Sequence, residues 1–179
     1  MSRIVPDIDS LEQHLYELEC HPERYRPACC PQCGLKSLWC HGYYYRKADR
    51  EQQERERLDP IPIPRYYCKP CAKTCSRLPS GIAPHRWYLW AVQQSVFVLL
   101  LSGFSFRKAA RTCGPHRRTI SRWRDWLEGQ FTRHNFYLRN RFPELGRHAS
   151  LSSFWSAAFG RMSLAEAMAW LDFDGVVIP

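Results

Sequence analysis

The sequence predicts an α+β chain, in which a small β-rich segment precedes a helical region. Three observations carry this expectation. Residues 28–79 are rich in proline and cysteine and show no helical period. After residue 85 apolar residues recur at helical spacing. Between the two, residues 78–84 (Leu-Pro-Ser-Gly-Ile-Ala-Pro) have the composition of a turn-rich hinge. The 179 residues suffice for one ordinary domain or two small ones, and a hydrophobic fraction of 45% excludes a disordered tail.

The elements follow in order. Residues 9–20 read as a short amphipathic helix capped by Asp9 or Ser10, with Leu11, Leu15 and Leu18 on its apolar face and Pro22 and Pro27 ending it. Residues 38–46 and 61–67 read as strands, and the charged segment 47–59 between them as a solvated hairpin extension. Three helices are expected at 87–101, 106–113 and 117–129. The apolar run 96–101 is far shorter than the ~20 residues that cross a bilayer, so it is read as a buried core helix and no membrane association is expected. Beyond Gln130 the pattern weakens. Residues 154–159 suggest a short helical turn, and Ser163-Leu-Ala-Glu166 a capping box opening 164–171. The expected organisation is an N-terminal helical extension (1–27), a ribbon (28–79), a helix-turn-helix domain (85–130) and a helical tail (131–179).

The N-terminus shows neither the apolar stretch nor the cleavage site of an export signal, so a cytoplasmic, nucleoid-associated location is expected. There the 9 cysteines are reduced, and clustered thiols serve metals more often than disulfides. Two C-x-x-C pairs stand out, Cys30-Pro-Gln-Cys33 and Cys68-Lys-Pro-Cys71. Two such knuckles supply four soft thiolates at matched spacing, which suits one tetrahedral Zn2+ with a closed shell and a structural role. The gap between the pairs exceeds the usual ~15–20 residues, an excess that the charged extension accounts for. Cys29 is an alternative to Cys30 with a poorer spacing. Cys20, Cys40, Cys75 and Cys113 are expected as small buried side chains, with no spacing that organises a second metal.

The second constellation runs from Phe106 to Trp123. A helix-turn-helix needs a small residue in its first helix, a glycine at the turn and apolar residues in the second helix facing back. Ala110, Gly114, Ile120 and Trp123 occupy those places, with Ala109, Cys113 and Leu127 completing the apolar face. The net charge is +9, and ten bases against two acids fall between Ser102 and Arg141, the footprint of a polyanion partner. Arg117, Arg118, Ser121 and Arg122 are the expected base readers, because arginine can bridge guanine O6 and N7. Thr119 is assigned to a phosphate, and Arg107, Lys108, Arg111 and Arg124 to phosphate clamping, which positions the motif without reading sequence.

In this order the two modules resemble the DNA-binding head of bacterial insertion-sequence transposases. Cys30-Pro-Gln-Cys33-Gly34, residues 41–46, residues 63–74 and Leu78-Pro79 resemble its zinc ribbon, and Thr119-Ile-Ser-Arg-Trp123 its recognition helix. The resemblance spans about residues 28–130. It implies zinc held by Cys30, Cys33, Cys68 and Cys71 and binding to double-stranded DNA at inverted repeats. Cys75 departs from the aromatic expected there. The three-carboxylate catalytic fold of such enzymes needs well over a hundred residues, and only 49 follow Gln130. Their acids are Glu144, Glu166, Asp172 and Asp174, and they offer no scaffold for a two-metal site. The expectation is therefore a non-catalytic accessory or truncated transposase, with the tail open to a homodimer or a transposase partner. A stand-alone transcriptional regulator remains a second reading. An RNA- or protein-binding ribbon using Tyr43, Tyr44, Tyr45, Tyr66 and Tyr67 is a third.

Overall fold

The computed structural model describes residues 3–47, 60–84, 88–176 and 178. It is α+β: among the described residues there are seven α-helices and one three-stranded antiparallel sheet. The chain divides into two compact units, one running to Tyr88 and the other Leu89–Ile178.

The first unit begins with β1 (Ile4–Val5) and α1 (Leu11–Cys20). Of the two candidate caps it is Ser10 that accepts from the Gln13 N–H at 3.1 Å. The Gln13 side chain returns a bond to the Asp9 N–H at 3.0 Å. The buried face of α1 differs from the leucine stripe: His14, Glu17 and Leu18 are buried, while Leu11 and Leu15 are only half-buried. A polar network explains the difference. The Tyr25 hydroxyl lies 2.6 Å from His14 Nδ1, and His14 Nε2 lies 2.8 Å from the Pro62 carbonyl. A carbonyl only accepts, so Nε2 carries the proton and Nδ1 accepts from Tyr25. Burial holds His14 below its ordinary pKa, keeping that neutral form. Fully bonded on both nitrogens, the ring can replace an apolar residue inside the core without the penalty of an unsatisfied polar group. Glu17 meets Arg24 at 2.7 Å and His21 at 3.1 Å, and the Arg24 hydrogen bond lowers its pKa.

Strand β2 (Leu38–Arg46) matches its expected bounds, and β3 (Ile61–Cys68) carries the second strand one residue further, to a cysteine. A third strand, β4 (Lys73–Cys75), was not anticipated and pairs antiparallel with β3. A bulge interrupts β2 between Cys40 and Tyr43, where Gly42 takes φ +73°. The expected extension at 47–59 lies, except for Lys47, outside the described residues. The segment read as a hinge is docked instead. Its first residues form β5 (Leu78–Pro79), which pairs parallel with β1, and Leu78, Pro79, Ser80, Ile82 and Ala83 are buried. Gly81 fits because a Cβ there would sit 2.6 Å from the Asp9 carbonyl oxygen.

The second unit opens with α2 (Trp90–Leu101), three residues later than expected; Trp87 lies outside the described residues. Helices α3 (Phe106–Cys113) and α4 (Arg117–Gly129) have their expected bounds. Past Gln130 the chain is more helical than its sequence pattern suggests. It forms α5 (Phe131–Arg141), α6 (Leu151–Phe159) and α7 (Leu164–Phe173), the last with the expected Ser163–Glu166 capping box. Phe154, Trp155, Leu164, Met168 and Leu171 are fully buried within this unit, where α6 and α7 pack on α2, whereas Phe136, Trp170 and Phe173 remain exposed.

At the centre of that tail His134 is buried, with Trp126 and Trp155 edge-on at centroid distances of 5.3 and 5.8 Å. Neither ring nitrogen has a hydrogen-bond partner. Burial, and next the Arg133 charge, push its pKa down from 6.5 to about 4. A histidine depressed on folding takes up its proton first in the unfolded chain. The stability it allows is present above pH ~6.5 and is lost as pH falls towards ~4, by up to about 1.4 kcal/mol per pH unit. Replacing His134 with Phe is expected to flatten the pH dependence of denaturant stability across that window. An unchanged slope would show that other groups drive acid unfolding of this unit.

Candidate metal centre and nucleic-acid interface

In the first unit Cys30, Cys33, Cys68 and Cys71 place their sulfurs within 4.8 Å of one another, and among the described residues they form the only group that could hold a metal ion. The Cys30–Cys71 and Cys33–Cys68 sulfurs are each 3.6 Å apart, and all the cysteines are free thiols. A disulfide closes at ~2.05 Å. Four sulfurs around an ion at ~2.3 Å stand about 3.8 Å apart in a tetrahedron, close to the two 3.6 Å separations and within the 4.8 Å span of the cluster.

The two knuckles are built alike. In the first, the Gln32 N–H points at Cys30 Sγ at 3.4 Å, the Gly34 N–H donates to the Cys30 carbonyl, and Gly34 adopts φ +73°. In the second, Ala72 holds the equivalent place, four residues after Cys68, with φ +52°. Both chains must turn left-handed so that backbone amides face sulfur; one knuckle supplies glycine there and the other an alanine under strain. Burial raises the Cys30 thiol, but amides of Cys33 and Gln32 and the neighbouring thiols outweigh it and bring it down to about 6. For Cys68 the Cys71 amide lowers the pKa, while burial and the surrounding sulfurs prevail and raise it to about 12. An incoming cation must displace thiol protons, so the metal affinity of such a cluster falls as pH falls.

Cys30 and Cys68 are also members of the unit's core, with Val5, Ile8, Leu18, Tyr25, Leu38 and Tyr66, and Cys71 and Cys75 pack against it. Cys75 therefore has the packing role expected of it, and burial raises its pKa. Cys29 and Cys113 are half-buried, whereas Cys20 and Cys40 are exposed, contrary to expectation. Cys40 lies opposite Tyr66, just before the β2 bulge, and is nevertheless exposed.

In the second unit α3 and α4 pack through Ala109, Ile120, Trp123 and Leu127, all buried, while Ala110 is only half-buried. Ser105 caps α3 by accepting from the Lys108 N–H, and Gly114 at φ +89° ends it with a bond to the Ala110 carbonyl. His116 Nδ1 caps α4 by accepting from the Arg118 N–H at 3.2 Å. Arg107, Lys108, Arg111, Arg117, Arg118 and Arg122 are exposed, and Thr119 and Ser121 are half-buried. Arg124 differs from the rest: it pairs with Glu128 at 3.1 Å and Asp125 at 3.6 Å and covers the Phe106 ring at 5.1 Å. The Ser121 hydroxyl reaches Asp125 at 3.4 Å.

One signal in the sequence was passed over. Between Asp59 and Asp125 there is no acidic residue at all, against twelve lysines and arginines. The acid-free run therefore includes β3, β4 and the second knuckle as well as α3 and most of α4.

Two outcomes follow for the knuckles. Ala72→Gly is expected to raise the stability of the metal-loaded chain by about 0.5–1 kcal/mol, by relieving the left-handed alanine, and Gly34→Ala to lower it by about 1 kcal/mol. Stability curves in urea check both, and equal effects of one sign would refute the shared knuckle geometry. Stripping the metal with a chelator at neutral pH is expected to remove the tertiary signal of the first unit while the helical signal of the second persists. Retention of both signals would mean that the thiols pack without an ion.

No curated protein and no solved structure matches the chain, and no described helix is long and apolar enough to cross a membrane. A family model described as a domain of unknown function (DUF6431) matches residues 30–123, from the first knuckle cysteine through Trp123 of α4. That match covers more than half of the 179 residues and includes both the cysteine cluster and the helix pair, and the chain belongs to this DUF6431 family.

Proposed function

We propose that this chain is a non-catalytic, sequence-preferring binder of double-stranded DNA, with α4 as its reading helix and a structural Zn2+ in the four-cysteine centre. The carrying observation is the surface of α3 and the first half of α4. Six lysines and arginines project there, from Arg107 to Arg122, without one carboxylate among them. Arg117 and Arg118 stand in the first turn of α4, which has no acidic residue. Cations there oppose the helix dipole, at a cost of about 0.3–1 kcal/mol each. An anionic partner reverses the sign of that term, because the same helix end attracts phosphate. A solvated basic face with no partner gains nothing from the arrangement.

Zinc is favoured over other ions by four thiolates at tetrahedral spacing and by the absence of an open position. The transposase-head resemblance fits a chain in which ribbon and helix pair lie within one family match. The tail carboxylates have structural work. Glu166 closes the α7 capping box, Glu144 pairs with Arg161, Asp174 lies 3.4 Å from Arg141, and Asp172 is buried on α7. This supports a role in recognition rather than strand cleavage.

Selection from random duplexes with the zinc-loaded chain is expected to enrich a motif. Arg118→Ala and Arg122→Ala should each weaken binding to it by about 1–3 kcal/mol. Arg118→Glu should abolish binding while leaving thermal stability equal or higher, since it improves the helix end; a merely structural arginine would not separate the two readouts. A palindromic motif would favour a dimeric regulator over a transposon-end binder. Salt-sensitive binding without enrichment would overturn sequence preference.

A further inference from the structure

We infer that the outward face of the β2–β3–β4 sheet is a stacking platform for the unpaired bases of single-stranded DNA. Directly opposed residues of an antiparallel sheet point to the same side. The rows Leu38–Cys68–Lys73 and Cys40–Tyr66–Cys75 flank the row Trp39–Tyr67–Thr74. Leu38, Cys68 and Tyr66 are buried in the core, so Trp39 and Tyr67 face the other way. Trp39 is 63% exposed. His41, in the bulge, brings its ring to 5.6 Å from the Tyr67 ring at an interplanar angle of 37°. Arg65, two residues before Tyr67 and therefore on the same side, lays its guanidinium 5.3 Å from the Tyr44 ring centre, where the open part of this side ends, because Tyr44 pairs with the buried Ile63. Three neighbouring rings and a stacked guanidinium thus lie on one sheet face, with the largest ring open to solvent.

Charge complementarity selects the occupant. Residues 28–47 and 60–84 carry Lys36, Arg46, Lys47, Arg65, Lys69, Lys73 and Arg77 and no acid. A divalent ion with four thiolates would contribute a net charge of −2, which leaves these two segments net positive; residues 48–59, outside the described residues, add three arginines and five acids. Aromatic rings in a basic, acid-free surface hold the two parts of a single strand, bases by stacking and phosphates by charge. Duplex bases are stacked on each other and present no free face, so this surface is distinct in kind from the α4 surface. The choice of DNA over RNA rests on the reading of α4 as a duplex DNA binder; the stacking itself does not.

The test uses the zinc-loaded full chain and fluorescence anisotropy with a labelled oligothymidylate, an abasic strand of the same length and charge, and an oligouridylate. Oligothymidylate is expected to bind at least tenfold more tightly than the abasic strand and to quench tryptophan emission. Trp39→Ala should weaken oligothymidylate binding about tenfold and abasic binding less than twofold, with Trp39→Phe restoring most of the loss. Zinc stoichiometry and the far-ultraviolet spectrum verify that the variants are folded, which the exposure of Trp39 favours. The double variant Arg118→Ala, Arg122→Ala should lose duplex recognition and keep the thymidylate–abasic ratio. Failure of the α4 reading then appears in the duplex arm alone. Equal affinity for thymidylate and abasic strands, or indifference to Trp39→Ala, would overturn the platform. Clear preference for oligouridylate would overturn the assignment to DNA.

Discussion

Four cysteine sulfurs lie within 4.8 Å of one another in the first unit, and two of their residues, Cys30 and Cys68, also belong to its hydrophobic core. As thiols they would have only weak S–H bonds with which to occupy that space. As thiolates they would repel. A central cation would remove the repulsion and convert the crowding into bonds. The core around them is short of side chains: Val5, Ile8, Leu18, Tyr25, Leu38 and Tyr66 come from five different stretches of chain. A core of that size closes only a shallow free-energy gap by apolar burial. A bound ion would therefore act as a shared centre joining the β3 terminus and both knuckles.

The second unit is organised by a different compromise. Ile120, Trp123 and Leu127 bury one side of α4 and lock it to Ala109 of α3. Stability optimisation of the opposite side would place acids in its first turn and bases in its last. The chain does the reverse, with Arg117 and Arg118 at the start and Asp125 and Glu128 near the end. The cap is likewise weak for its position, a His116 ring nitrogen where serine, aspartate or asparagine caps best. Local rules are broken at the helix end that faces a phosphate backbone in the proposed complex, where such exceptions are expected of functional residues.

Regular chemistry was legible in the sequence, and tertiary compromise was not. The clustering of the four cysteines, β2, α3 and α4 could be read because spacing, caps and periodicity act locally. The buried face of α1 could not, because His14 is accommodated only by Tyr25 and by the Pro62 carbonyl 48 residues away. Strand β4 was hidden since three residues carry no period, and its pairing with β3 follows from the knuckle between them. Helix α5 was missed for a similar reason. Its buried positions are His134 and Leu138, one polar by type, and its apolar signal is split among Phe131, Phe136 and Tyr137. The Gly81 contact with Asp9 joins segments 72 residues apart, which made a docked strand look like a connector.

The placement of acids ties the two units together. Six precede the ribbon, five lie between residues 49 and 59, and six follow Arg124. The intervening stretch from Pro60 to Arg124 has none, although it crosses from one unit to the other. Fold requirements do not explain this, because β3, the second knuckle, α2, α3 and α4 share no structural reason to exclude carboxylates from their exposed positions. A common polyanionic partner, as proposed, would. In the proposed reading each unit contributes its own contacts to one nucleic acid, and linking two modest sites multiplies their affinities without any new contact. The family match then spans a functional pair rather than a single fold, beginning at Cys30 and ending at Trp123. Helices α5 to α7 complete the core of the second unit beyond that match, with Trp155, Leu164 and Met168 buried where α6 and α7 pack on α2.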